Sequence, residues 1–225
     1  MIEIILVVGQ KASGKSVETK KQILNIEDRN TIFFDICLEY EEFEVIHPDK
    51  AVDFLMGNEG NIRRIIPFEN GEKMSLDQIQ KMIEKLLAKV NNGILVLENT
   101  RYYASPKILE LIKQGNGDKK GHLSVIYQFT SIGTIPNNLL NDADVLRLHK
   151  CIDSIDRHKS KIENFEILKI ATLIVKNKTQ DDKYFNCSVN GWRTIEGDFD
   201  KSDYRNACID SIIEKQGLHR YSEIY

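Results

Sequence analysis

Gly9-Gln10-Lys11-Ala12-Ser13-Gly14-Lys15-Ser16 satisfies every fixed position of the pattern G-x-x-x-x-G-K-[ST]. The apolar run Glu3-Ile4-Ile5-Leu6-Val7-Val8 precedes it and reads as a strand buried on both faces. Val17 to about Ile26 follows it and reads as a helix. In that setting the glycines let successive backbone N–H groups surround a phosphate. The helix adds its positive N-terminal end. Lys15 would reach the outer phosphates and the Ser16 hydroxyl would ligate Mg2+. The expected ATP-binding set is therefore Gly9, Gln10, Lys11, Ala12, Ser13, Gly14, Lys15, Ser16 and Val17.

Working outward, apolar strands alternate with amphipathic helices. Strands are predicted at Thr31–Phe34, Phe43–Ile46, Ile62–Ile66, Ile94–Leu97, Leu123–Tyr127 and Val145–Leu148. Helices are predicted at about Asp49–Met56, Ser75–Val90, Pro106–Gln114, Ser160–Val175 and Lys201–Lys215. The clearest is Ser75–Val90, with Leu76, Ile79, Met82, Ile83, Leu86, Leu87 and Val90 at helical spacing and a Ser75/Gln78 capping box. Asn190-Gly191, between Lys183–Val189 and Trp192–Ile195, marks a two-residue hairpin turn. This order predicts an α/β fold with a mainly parallel central sheet flanked by helices, plus a C-terminal β-hairpin and helix. One domain over residues 1–225 is expected, with a core to about 150 and an extension over about 151–225.

Ligands of such sheets bind beyond the carboxyl ends of the strands. Asp35, Glu98 and Gln128 all fall there. Two alignments of Ile94-Leu95-Val96-Leu97-Glu98-Asn99 stay open. In the first, preferred because four apolar residues precede the acid, Glu98 is the second metal-side residue and Asn99 stands where a catalytic Glu is usual. In the second, Glu98 is the catalytic carboxylate. Asn99 cannot take a proton as a carboxylate does, so Asp35 or Glu39 becomes a candidate base, provided their strand neighbours the first. The Gln128 amide can donate to a γ phosphate and accept from an attacking water.

The bulk numbers set limits. A chain of 225 residues with 41% hydrophobic and 29% charged residues has the composition of a globular protein. A net charge of -3 confers no general attraction to nucleic acid, so any such contact must be local. Cys37, Cys151, Cys187 and Cys208 form no C-x-x-C pair, which argues against structural zinc or a disulfide framework. Met1-Ile2-Glu3 leads straight into the first strand, so no signal peptide is expected, and no apolar run reaches the length of a membrane span. A cytoplasmic location is expected, that of a bacterial host cell if the chain is phage-encoded.

The order of these features resembles the FtsK/HerA branch of P-loop ATPases, an additional-strand type of P-loop NTPase. The matching pieces are Gly9–Ser16, Phe34-Asp35-Ile36-Cys37-Leu38-Glu39-Tyr40, Ile94–Asn99, His122–Gln128, Ile135–Leu140 and Asp142-Ala143-Asp144. The resemblance covers about residues 3–150. It implies an ATP- and Mg2+-dependent motor that assembles as a hexameric ring and drives double-stranded DNA, as phage and viral packaging ATPases do with capsid or portal partners. Zot-like phage assembly proteins are similar. The alternative is a slowly hydrolysing nucleotide-binding switch or assembly factor, which Asn99 favours. The resemblance also implies an Arg that completes the neighbouring site, with Arg63, Arg64, Arg101, Arg147 and Arg157 as candidates. Lys113, Lys119 and Lys120 around Gly115–Gly121, with Tyr102 and Tyr103, are candidate DNA contacts.

Overall fold

The first strand, β1 (Ile2–Val8), is hydrogen-bonded to a parallel neighbour on each side. Ile2, Ile4, Leu6 and Val8 join one core cluster, and Val7, with Ile5 packed beside it, joins another. Both faces are buried, which is why the segment reads as a nearly unbroken apolar run. The computed structural model describes residues 2–69, 71–98, 105–114, 122–151 and 154–216.

The remaining strands are β2 (Thr31–Phe34), β3 (Ile62–Ile65), β4 (Phe68–Glu69), β5 (Glu72–Lys73), β6 (Gly93–Leu97), β7 (Leu123–Phe129), β8 (Val145–Leu148), β9 (Cys187–Asn190) and β10 (Thr194–Gly197). The eight-stranded sheet has the order β10-β9-β8-β1-β7-β6-β2-β3, while β4 and β5 form a separate ribbon. Strands β8 through β3 in that order are parallel, and β9 and β10 add antiparallel. The expected mainly parallel sheet is present, and β7 is the additional strand between β1 and β6.

Helix α1 (Lys15–Ile23) covers one face, where Ile23 meets Val7, Phe33, Ile94, Val96 and Ile126. The opposite face packs against α2 (Ala51–Leu55), α3 (Leu76–Leu87), α4 (Pro106–Gln114), α5 (Asn137–Asn141) and α6 (Phe165–Lys178). Helix α7 (Lys201–Lys215) lies on α6. The predicted capping box forms: Gln78 N–H donates to Ser75 Oγ at 3.3 Å, and Ser75 N–H to Gln78 Oε1 at 2.8 Å. Among the described residues no helix is long and apolar enough to cross a membrane.

Three local expectations need correction. Phe43–Ile46 is not a strand; Val45 makes a single parallel bridge to Arg64 and is 55% exposed. The reason is that Tyr40 and Phe43 are drawn onto the Phe33 ring, with centroids 4.1 and 5.5 Å away, so only Glu44–Ile46 reaches the outer edge of β3, where Glu44 O and Ile46 N–H bond the backbone of Arg64. The hairpin turn is centred on Gly191 and Trp192, not Asn190-Gly191. Both have positive φ, at 50° and 56°, and Asn190 still pairs with Thr194. Gly191 N–H donates to Asp144 O at 2.7 Å and Trp192 packs against the core, so tertiary contacts fix that register. Finally, β2 does not neighbour β1, because β7 and β6 stand between them.

Gly93 opens β6 at φ 93°, where an added Cβ would lie 2.8 Å from Leu55 O and 2.9 Å from Asn30 O. Neither carbonyl can retreat without breaking the packing of β2 and α2. Gly93→Ala should therefore destabilise the fold by roughly 2 kcal/mol or more, read as a lowered urea midpoint. An unchanged midpoint would contradict this close packing.

Candidate functional site

The loop Gly9–Gly14 is pinned from both sides of β1. Gly9 N–H donates to Phe129 O at the end of β7 (3.1 Å), and Gln10 N–H to Lys150 O just beyond β8 (2.8 Å). A Cβ on Gly9 would sit 2.6 Å from both His149 Cβ and Ser13 Oγ, so only glycine fits. Ala12 and Gly14 take left-handed φ of 61° and 88°, which turns the chain into α1. Lys15 Nζ crosses the loop and donates to Gly9 O (2.6 Å) and Gln10 O (2.9 Å). Burial lowers its pKa, opposed by electrostatic attraction toward Cys151, Glu39 and Glu98.

His149, which the sequence reading passed over, braces this loop from below. It follows β8 and is buried, with Nδ1 3.1 Å from Ser13 O. A carbonyl only accepts, so Nδ1 carries the proton and donates. Burial, reinforced by the charges of Arg147 and Lys15, brings its pKa down to about 4 against the opposing Ser13 hydrogen bond. The ring is thus neutral at ordinary pH. The available signal was positional: His149 is a polar residue just past an apolar strand, the same pattern that singled out Glu98.

On the other side, Ser16 Oγ lies 3.5 Å from Glu98 Oε1 and 3.4 Å from Gln128 Oε1. Gln128 is the penultimate residue of β7 and pairs in register with Val7, so it faces α1 and the loop. Glu98 is buried just past β6. Its Oε1 accepts from Tyr40 OH at 2.5 Å, and its Oε2 is buried with no hydrogen-bond partner among the described residues. Burial pushes its pKa up to about 7; the Tyr40 and Ser16 hydrogen bonds oppose this, while the charges of Glu39 and Asp35 add to it. These groups open on a cavity of about 530 Å³ lined by Lys11–Val17, Cys37, Glu39, Glu98, Gln128, Phe129, Thr130 and Thr134.

Asp35 has a different use from the one its strand-end position suggested. It is fully buried, and its carboxylate accepts from Glu39 N–H (2.8 Å), Tyr40 N–H (3.2 Å) and Arg64 Nη1 (2.9 Å). It does not line the cavity. Instead it ties a turn through Leu38, at φ 57°, that brings Tyr40 against Glu98 and Glu39 to the cavity wall. Among the arginines, Arg64 is engaged by Asp35 and Arg63 by Glu44 at 2.9 Å. Arg147 is half-buried in β8 opposite Val7, and Arg157 lies in the short 3₁₀ segment Ile155–Lys161. Asn99, Arg101, Tyr102, Tyr103, Lys119, Lys120, the rest of the loop 115–121 and the side chain of Lys113 fall outside the described residues.

The structure of the genome packaging NTPase B204 from Sulfolobus turreted icosahedral virus 2, in complex with ATP-gammaS, is similar to this chain. The TM-score is 0.59 at 14% identity, covering 86% of this chain and 95% of that one. The fold is that of a P-loop NTPase. The AMP complex of the same protein matches with a TM-score of 0.57 at 12% identity, over 87% of this chain and 96% of that one. The DNA-packaging ATPase B204 from Sulfolobus turreted icosahedral virus matches at 0.55 and 12%, over 86% and 95%. No protein-family model matches the chain, and no curated protein sequence matches it either. The expected fold is therefore present, while likenesses at this identity carry no chemistry across.

Glu98 gives a pH signature. A carboxylate whose folded pKa is raised from 4.5 to about 7 keeps a proton that the unfolded chain releases. Its contribution to stability is full below about 4.5 and is lost as pH rises through about 7. Glu98→Gln abolishes that loss, so the nucleotide-free variant should gain stability relative to wild type between pH 5 and pH 8. The gain should approach ~3 kcal/mol, read from paired denaturation curves. A constant difference across that range would show that Glu98 titrates normally.

Proposed function

We propose that the chain, as a single P-loop domain over residues 1–225, binds and hydrolyses ATP as a DNA-translocating motor of the packaging type. The observation that carries the nucleotide reading is the convergence of Lys15, Ser16, Glu98 and Gln128 at the carboxyl end of the parallel sheet, on one cavity. In a P-loop the backbone of Gly9–Val17 holds the phosphates and Lys15 leaves its two carbonyl partners for the β and γ phosphates. The residues fit Mg2+: a hydroxyl beside a buried carboxylate with an unpartnered oxygen is a hard-oxygen donor pair. Ser16 and Glu98 would hold the ion, with phosphates and waters completing the shell. When bound, Mg2+ supplies charge neutralisation for the transferring phosphoryl group.

Ser16's nearness to Glu98 supports the metal-side role for Glu98 over the catalytic one. Gln128 is placed to orient a water or contact the γ phosphate. With Asp35 committed to Arg64, Glu39 is the better candidate for the remaining base, since it lines the cavity. The packaging reading draws support from the B204 likeness in fold and from the sequence pattern over residues 34–144. It implies a hexameric ring, double-stranded DNA as substrate, a capsid or portal partner, and a cytoplasmic setting. An Arg supplied by a neighbouring subunit would complete the site, with Arg101, Arg147 and Arg157 as the candidates left once Arg63 and Arg64 are paired with Glu44 and Asp35. Asn99 after Glu98 favours the slower switch as the second reading.

Lys15→Ala should abolish measurable ATP binding while the melting curve stays that of a folded protein; tight binding by the variant would remove the loop from the site. For the motor, wild-type ATPase activity should rise with protein concentration and with added double-stranded DNA, and mass measurement should find a closed ring. A monomer with DNA-independent, slow turnover would overturn the motor and leave the switch.

A further inference from the structure

Among the described residues, the two most exposed large hydrophobic side chains are Val17, 72% exposed, and Tyr184, 58% exposed. They are far apart in sequence, yet both border the same loop. Val17 is the residue directly after the loop, on the first turn of α1. Tyr184 belongs to the connection between α6 and β9. Its ring leans on Gly14: a Cβ built there would meet Tyr184 Cδ1 at 3.1 Å, and Cβ and Cγ at 3.7 Å. We propose that Tyr184 is the platform on which the base of the bound nucleotide stacks, so that the C-terminal extension supplies the base-binding part of the site. This rests on the nucleotide reading above and deepens it.

Three features make the ring a built element. Tyr184 N–H donates to Asp182 Oδ1 at 2.9 Å, and Phe185 N–H to Asp182 O at 3.1 Å, which closes a turn under it. The next side chain, Phe185, is buried and anchors the turn in the core. Lys183 Nζ lies over the ring, 5.4 Å from its centroid, a cation–π contact that holds the ring from one side. Leaving an aromatic surface in water forgoes the free energy of burial, and a flat base is the partner that recovers it. Glycine at position 14, favoured by its φ of 88°, also lets the ring approach this closely, since a Cβ there would press on Tyr184 Cδ1 at 3.1 Å. Stacking accepts any π face, so this platform favours large bases over small ones without selecting a hydrogen-bonding pattern.

The test compares ATP with inorganic tripolyphosphate, each with Mg2+, by calorimetric titration of wild type, Tyr184→Ala and Tyr184→Phe. Wild type should bind ATP more tightly than tripolyphosphate. Tyr184→Ala should lose about tenfold in ATP affinity. Tyr184→Phe should retain ATP affinity, and tripolyphosphate should bind all three proteins alike. Unchanged ATP affinity in Tyr184→Ala, or equal losses for ATP and tripolyphosphate, would overturn the stacking role while leaving the phosphate site standing. Failure of wild type to bind either ligand would overturn the nucleotide reading itself, and the stacking role with it.

Discussion

The parallel pairing of β1 with β7 on one side and β8 on the other is the constraint on which the site depends. It fixes where the chain leaves β1, and it supplies the two backbone carbonyls, Phe129 O and Lys150 O, that hold the first residues of the loop. Because both neighbours run the same way as β1, their own carboxyl ends arrive at the same level. Gln128 comes with β7 and His149 with β8, and Glu98 comes from β6 one strand further on. A loop with two left-handed residues and a half-buried lysine is held in shape by that frame, since few of its own side chains pack. His149 adds a polar brace at Ser13 O that an apolar side chain could not supply.

A second layer is built by charge. Asp35, fully buried, needs hydrogen-bond partners for its oxygens, and it has three donors, one of them the Arg64 guanidinium. The turn it ties carries Tyr40 to Glu98. Glu98 in turn is left with one satisfied oxygen and one that is not, beside the Ser16 hydroxyl. A buried acid with one oxygen unpartnered holds its proton up to about pH 7, and a bound cation would displace that proton. The contrast between the two acids is instructive: both end apolar strands, but one is consumed by structure and the other is left open to chemistry.

The residues after about 150 also belong to this architecture. β9 and β10 extend the same sheet, α6 and α7 cover its β8–β9 side, and Tyr184 reaches from there to Gly14. A boundary drawn from the sequence resemblance alone leaves these elements as an appendage, because their contacts with the loop span some 170 positions of chain and carry no local pattern.

The sequence by itself determined the elements whose signals are local. The loop residues, the strand cores, the Ser75–Gln78 cap, α4 and α7 follow from composition, spacing and capping chemistry that act over a few residues. It also placed Glu98 and Gln128 together, because parallel strands deliver their ends to one edge. What only the tertiary structure decided were choices between partners distant in the chain. Strand order set β7 and β6 between β1 and β2, the Phe33 ring drew Phe43 away and left Glu44–Ile46 a single bridge on the edge of β3, and Asp144 O together with core packing of Trp192 shifted the hairpin turn. Arg64 decided the use of Asp35, and Ser13 O gave His149 its place. In each case burial of a group forces it to find a partner, and which partner is nearest depends on how the whole chain has folded.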